Sequence, residues 1–293
     1  MIYAINDQMR FSLLNIRKGT LFMPTFHGQK FLSMKNWFIC LLVALLIYPD
    51  VFSQKTMIKF QIGYGIPLLT SYPIQTVINN TATLHSFSLG SGLTAEGGVI
   101  HSLRRNLALQ LDFSYLSGKQ NKIGLSTVTS SSASYYSRFF EVAPMVRIAS
   151  EGGKLRPYVS VGPVFGVGKF YANITSVSTG GVTTGVQERE YRGSFAFGGK
   201  AALGLILERG RSSFYIQMTM VSMRYAPSNS ELTTYTTNSI NQLSSLTTAQ
   251  KQTIYSTSIP TNVAPNPNQP TQALQSTYPF DSIGLGVGVM FRL

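Results

Sequence analysis

The sequence predicts an all-β fold, an eight-stranded antiparallel up-and-down transmembrane β-barrel with long extracellular loops and short periplasmic turns. Apolar residues recur at every second position in eight stretches, the period of a strand with two different faces. The connections between these stretches alternate between long and short. Only 12% of the 293 residues are charged, against about 25% in soluble proteins. Much of the surface is therefore expected to lie out of contact with water.

The amino-terminal segment has the features of an export signal. Residues 37–48 are apolar or aromatic without a charge, and Lys35 precedes them. A spanning helix needs about 17–25 apolar residues, so this run is too short and fits a signal-peptide core. The alternative is a buried soluble helix. We predict an upstream extension at residues 1–33, a signal peptide at 34–53 and a mature barrel at 54–293.

Charge and cysteine content exclude several classes of function. The whole chain carries +13, and removing residues 1–53 takes away five basic and two acidic residues, which leaves 19 − 9 = +10. The single cysteine, Cys40, lies within the predicted signal peptide, so no intramolecular disulfide or cysteine-based metal site is expected. No ridge of alternating basic and aromatic residues is present, so nucleic acid is not an expected partner. We expect no cofactor and no metal.

The eight predicted strands are separated by two kinds of connection. The alternating stretches cover residues 58–66, 87–99, 107–115, 136–148, 159–167, 195–207, 214–220 and 283–293. Short turns are predicted at 101–106, 150–155 and 208–212, and long polar loops at 67–86, 118–134, 172–190 and 227–279. An even strand count places both termini on the periplasmic side.

Alternation alone fits a soluble sandwich or a lipocalin-like barrel as well. The residues between the apolar positions decide, because many of them are small, as at Gly90, Gly92 and Gly98 in the second stretch and Gly284 and Gly286 in the eighth. Small residues suit the crowded interior of a narrow barrel. The apolar face is therefore expected to meet lipid.

Aromatic residues at the loop-side ends of the strands predict a girdle at the water–lipid boundary. The predicted members are Tyr64, Phe87, Tyr115, Tyr136, Tyr171 and Tyr191. Tyr225 and Phe280 also lie at strand ends, but they keep the lipid-facing parity only with a bulge.

The last residues resemble a barrel insertion signal, with Gly288 followed by apolar residues up to Phe291 and Leu293. With the mature start at Gln54 and the alternating connections, residues 54–293 resemble small eight-stranded outer-membrane β-barrels of Bacteroidota, including PorT-like proteins, and OmpA- and OmpW-like barrels. The usual terminal residue is Phe, whereas this chain ends in Leu293. The resemblance implies the outer membrane of a Gram-negative bacterium, with outer-membrane lipid, lipopolysaccharide and the barrel-assembly machinery as partners.

Parity predicts a polar network inside the barrel. Its expected members are Lys59, Glu96, Asp112, Glu141, Arg147, Lys200 and Arg292. Buried charges must be paired, and four bases against three acids permit a salt-bridged core. The alternative for these residues is a narrow polar conduit. A wide porin channel is excluded, because eight strands close around their own side chains.

The expected function is structural, binding or adhesive, through the extracellular loops and an unidentified ligand or partner protein. The loop at 227–279, with a short helix within 240–255, is the candidate site. One alternative is a narrow channel for a small apolar solute, as the OmpW-like resemblance implies. A lipid A-modifying enzyme is the second, but His85 and His101 lack an assignable carboxylate for a triad, so we expect no catalysis.

Overall fold

The computed structural model describes residues 56–68, 73–78, 81–86, 88–126, 131–177, 184–259, 264 and 266–293. The predicted upstream extension and signal peptide lie outside these residues. Helix is confined, in this part of the chain, to a 3-10 turn at Leu243–Ser245 and the single-turn helix α1 at Thr248–Lys251. Neither is long and apolar enough to cross a membrane.

Strands make up nearly all of the described structure. They are β1 Thr56–Pro67, β2 Pro73–Ile78, β3 Thr81–Ser86, β4 Gly92–Ser102, β5 Leu107–Gly118, β6 Asn121–Ser126, β7 Ser131–Ala149, β8 Leu155–Val177, β9 Thr184–Arg192, β10 Phe195–Arg209, β11 Ser212–Tyr225, β12 Asn229–Thr237, β13 Ile240–Asn241, β14 Gln252–Ser256, β15 Thr271–Leu274, β16 Tyr278–Pro279 and β17 Ser282–Arg292.

Eight of these strands close into an antiparallel barrel, which confirms the predicted fold. Going round the barrel, the order is β1, β4, β5, β7, β8, β10, β11 and β17. The seam joins β17 back to β1 in continuous register, from Met57 opposite Arg292 to Pro67 opposite Ser282. Closure gives each barrel strand a partner on both sides and leaves no free edge.

The outer face of the barrel is apolar. Side chains alternate along each strand, and the outward set consists of large hydrophobic residues that remain exposed. Examples from all eight strands are Phe60, Ile62, Leu93, Leu109, Phe113, Val146, Val161, Leu203, Ile216, Leu285 and Val287. Phe60 is 54% exposed and Ile62 is 65% exposed. Lys59, which precedes Phe60 on the same strand and points to the opposite face, is fully buried. The apolar face therefore points away from the lumen.

The two ends of the barrel differ in their connections. At one end, here called the turn end, short links join β4 to β5, β7 to β8 and β10 to β11 at 103–106, 150–154 and 210–211. Gly152, Gly153 and Gly210 adopt positive φ in these turns, a conformation that glycine tolerates. The opposite end, here called the loop end, carries the long connections.

At the loop end, two of the long connections form a sheet rather than irregular loops. β8 extends past the barrel and pairs with β9, which pairs with β12; β14 then pairs with β12, and β15 with β14. We call β9, β12, β14 and β15 the loop-end sheet. The helix expected within 240–255 spans only Thr248–Lys251 and begins with a capping box between Thr247 and Gln250. The 3-10 turn, β13 and β14 occupy most of the remainder.

Two breaks change the face on which a predicted residue lies. Gly193, with φ +96, and Ser194 separate β9 from β10. The alternation of faces along β10 therefore does not continue into β9, and Tyr191 does not lie on the same face as Phe195. The second barrel strand starts at Gly92, with φ +144, rather than at residue 87. Leu89 belongs to the alternating apolar set of the predicted stretch 87–99, whose apolar face was expected to meet lipid, but it turns inward and is 1% exposed.

Adjacent glycines in β10 test the difference between the two faces. A Cβ on Gly198 would lie 1.9 Å from the Ser222 carbonyl oxygen, whereas a Cβ on Gly199 would meet nothing within 4 Å. Gly198→Ala should lower the free energy of unfolding by about 1–3 kcal/mol because the backbone must shift, and Gly199→Ala should change it by less than about 0.5 kcal/mol. Urea unfolding of the barrel in lipid vesicles measures both. Equal effects would contradict the assignment of faces.

Candidate functional site in the barrel lumen

Side chains fill the lumen in three layers. Nearest the turn end lies an apolar layer built on Ile100, Ile206 and Met290, with Tyr158 and Tyr215. A polar layer follows. At the loop end the lumen is filled by a larger cluster, here called the aromatic plug, which contains Leu89, Leu116, Phe139, Met145, Val164, Phe170, Met223, Tyr225 and Phe280.

Four charged side chains form a compact cluster in the polar layer. The Lys59 Nζ lies 2.6 Å from Glu96 Oε1 and 2.8 Å from Asp112 Oδ1. Lys200 also donates to Glu96, and its Nζ lies 3.9 Å from Asp112 Oδ2. All four side chains are at most 5% exposed. Two ammonium groups and two carboxylates thus balance each other, as buried charges require.

Neutral amides and hydroxyls surround this cluster. The Gln110 amide donates to Asp112 Oδ2 at 2.6 Å. On the other side of the lumen, the Tyr158 hydroxyl donates to the Gln217 amide oxygen at 2.6 Å. The first bond lies within β5, whereas the second joins β8 to β11, and both restrict the rotamers of the buried side chains.

The remaining predicted members of the network are placed differently. Glu141 is buried and accepts a hydrogen bond from Ser114 at 3.0 Å, without an ion pair among the described residues. Arg147 is 2% exposed, and its guanidinium lies over the Tyr158 ring, 3.9 Å from the centroid. Arg292 is exposed and lines an open cavity at the turn end, so it lies outside the buried cluster.

The aromatic plug is packed through its rings. Phe139 lies 4.3 Å from Phe280 and 5.0 Å from Tyr225 between ring centroids, and the Tyr225 contact is edge-to-face. All three residues are at most 1% exposed. Phe170 stacks on Tyr191 at 4.3 Å. This packing fills the loop-end half of the lumen with apolar volume.

Two segments from outside the barrel strands complete the plug. Residues 88–91 fold into the loop-end mouth, where the Leu89 backbone N–H donates to Pro279 and its carbonyl accepts from Ser137 Oγ at 2.7 Å. Phe280 follows β16, and its backbone N–H donates to Met223. The plug was not predicted from the sequence, although the inward parity of Tyr225 and Phe280 was a signal for it.

The predicted girdle residues differ in where they lie. Tyr64 and Tyr115 are exposed on the outer face, 46% and 47%. Tyr136 and Tyr171 are half-buried and stack on each other at 4.7 Å, and the Tyr136 hydroxyl donates to Glu188. Phe87 lies outside the described residues.

Tyr191 does not belong to an outward-facing girdle, because the break at Gly193 directs it against the plug. Burial raises the pKa of Tyr191, with smaller contributions from Tyr255 and Tyr278. It is therefore a neutral phenol at physiological pH, as its stacked position requires.

Ion pairs tie the loop-end sheet together. Glu190 lies 2.8 Å from Lys169 Nζ and 3.5 Å from Arg192, and Arg192 reaches Glu231 at 3.0 Å. Arg189 donates to Ser230 and Thr253, each at 3.2 Å, so it connects β9, β12 and β14. These contacts add to the backbone pairing of the sheet, and each exposed ion pair contributes about 0–1 kcal/mol.

The carboxyl-terminal residues are placed on both faces of β17. Gly288 faces the lumen, where a Cβ would lie 2.6 Å from the Tyr215 ring. Phe291 is 45% and Leu293 64% exposed, and the Leu293 backbone N–H donates to Thr56. The predicted role of these residues as an insertion signal stays a prediction.

Histidine and carboxylate groups do not converge in the described residues. The His101 Nδ1 lies 3.1 Å from Thr56 Oγ1, and its hydrogen-bond partner is not a carboxylate. Within this part of the chain, His, Cys, Asp and Glu form no group of three that could hold a metal ion.

A scan against protein-family models and a search of curated proteins found no match. Among solved structures, the chain is similar to Neisserial surface protein A, with a TM-score of 0.36 and 6% identity, covering 81% of this chain and 97% of that chain. It is also similar to the monoaromatic hydrocarbon channel CymD, with a TM-score of 0.19 and 8% identity, covering 82% of this chain and 89% of that chain. At these scores, neither similarity decides function or the position of a site.

The charge cluster predicts unequal effects for two similar substitutions. Glu96→Gln leaves Lys59 and Lys200 with a single carboxylate, so the free energy of unfolding should fall by about 3–5 kcal/mol. Glu141→Gln alters one hydrogen bond and should cost about 1 kcal/mol. Urea unfolding in lipid vesicles measures both variants. A cost for Glu96→Gln no greater than for Glu141→Gln would contradict the central role of the cluster.

Proposed function

We propose that this chain is an outer-membrane β-barrel with a structural or binding role, carried by its loop-end sheet. The belt of exposed hydrophobic side chains supports the membrane location, because such a continuous apolar surface is unstable in water. Outer-membrane lipid and lipopolysaccharide would surround this belt. The loop end would face outward and both termini the periplasm, and the assembly machinery would read Gly288, Phe291 and Leu293.

The filled lumen is the observation that carries this proposal. A channel needs a continuous water-accessible path, but the charge cluster and the aromatic plug fill successive layers of the lumen. Phe139, Phe170 and Tyr225 are fully buried in the plug. At the loop end, the side chains that remain available for binding are those of the loop-end sheet.

The loop-end sheet has the properties of a binding surface. Backbone pairing joins its four strands, and within the described residues its outer strand β15 pairs on one side only. An unpaired strand edge offers backbone donors and acceptors to an extended peptide. Ile240 and Leu274 are 65% and 59% exposed at the loop end and add apolar contact area.

Conductance separates this proposal from the channel alternative. The folded protein in a planar lipid bilayer should show no current steps above the baseline, because both interior layers block ion passage. A deletion of residues 229–277, replaced by a short Gly-Ser linker, should remain equally silent because it leaves the lumen unchanged. Reproducible current steps from the intact protein would favour a narrow channel instead. Unchanged lipid A masses in a deletion strain would exclude the lipid A-modifying alternative.

Single cysteines test the orientation. Ser239 lies in the exposed turn between β12 and β13, and Glu151 in an exposed turn at the opposite end. Because Cys40 lies in the predicted signal peptide, the mature barrel supplies no other thiol. A membrane-impermeant maleimide applied to whole cells should label Ser239→Cys and leave Glu151→Cys unlabelled until the cells are lysed. The reverse pattern would invert the proposed orientation.

A further inference from the structure

A cationic cavity opens at the turn end of the barrel. It has a volume of about 400 Å³, and five guanidinium groups line it, from Arg104, Arg105, Arg147, Arg156 and Arg292. Glu208 is the only acidic residue in the lining. We call this cavity the vestibule.

One guanidinium and the carboxylate of the vestibule neutralise each other. Arg156 Nη1 lies 2.6 Å from Glu208 Oε1, and Arg156 Nε donates to the Ser150 carbonyl oxygen at 2.8 Å. Four positive charges in the lining are therefore left without a carboxylate from the vestibule. This surplus attracts anions into a concave, partly apolar space.

Arg147 is the unusual member of the set. It is 2% exposed, and its Nε and Nη2 have no hydrogen-bond partner in the described structure. Its other contacts are weak for a buried cation, namely the Tyr158 ring at 3.9 Å and the Met290 sulfur at 3.5 Å. A buried guanidinium that lacks a carboxylate is costly, and a bound oxyanion would offset this cost.

We propose that the vestibule binds a phosphate group through Arg147, with Arg104 and Arg292 at its entrance. Guanidinium groups bind phosphate by paired, charge-assisted hydrogen bonds. The volume lies in the range of small-molecule sites and exceeds what inorganic phosphate alone would fill. Apolar walls from Met57, Ile100 and Ile206 would hold the rest of an organic phosphate.

Calorimetric titration of the folded barrel, in a nonionic detergent at 0.15 M salt, tests the proposal. The probes are dihexanoyl phosphatidic acid, inorganic phosphate, and dihexanoylglycerol, which has the same acyl chains without the phosphate. Phosphatidic acid should bind and dihexanoylglycerol should not. If inorganic phosphate also binds, the free anion is sufficient. If phosphatidic acid binds and inorganic phosphate does not, the site recognises a lipid headgroup. Both results support a phosphate site.

Arginine variants decide whether the vestibule is responsible. Arg147→Met should weaken binding about tenfold or more, because charge-assisted hydrogen bonds are lost. Arg211→Gln removes the same charge from an exposed position at the same end, outside the lining, and should leave affinity unchanged. The double variant Arg104→Gln, Arg292→Gln alters only exposed side chains and gives an independent reading if Arg147→Met does not fold.

Three results would overturn the proposal. They are absence of binding to the unmodified protein, equal affinity for dihexanoylglycerol, and equal losses in Arg211→Gln and the vestibule variants. None of them bears on the loop-end sheet, so the proposed function would stand or fail separately.

Discussion

The rest of this structure depends on the hydrogen-bonded seam between β1 and β17. Without it, the sheet would have two long unpaired edges, whose backbone N–H and C=O groups would lack partners in a lipid environment. With it, the first and last strands pair along their length, from Met57 and Arg292 to Pro67 and Ser282. Closure with eight strands also fixes a narrow lumen, and the side chains inside must fit that space.

The narrow lumen explains why charge and bulk are separated along the barrel axis. Lys59, Lys200, Glu96 and Asp112 satisfy one another only because the register brings their strands together. Small residues such as Gly198 and Gly288 give room to neighbouring backbone and rings. Aromatic residues then fill the loop end of the lumen. Each layer stabilises the barrel and at the same time blocks it.

Local alternation was sufficient to predict the eight barrel strands, their short turns and the inward position of Lys59 and Glu96. It could not predict pairing between segments far apart in sequence, such as β9 with β12, because these two strands are mostly polar and carry no strong apolar period. It also failed across Gly193 and Gly92, where positive φ changes the chain direction, so Tyr191 and Leu89 were assigned to the wrong face. Arg292 lies on the predicted lumen-facing side of β17, but it is exposed because β17 ends at this residue.

The aromatic plug links two connecting segments to the wall of the barrel. Leu89 and Phe280 belong to connecting segments, and they are held by bonds to Pro279 and Met223 that form only when those segments reach the barrel mouth. The other residues of the plug, among them Phe139, Phe170 and Tyr225, lie on the barrel strands themselves. The connecting segments and the barrel wall therefore share one packed layer. The anchoring of the loop end and the rigidity of the wall are two consequences of the same contacts.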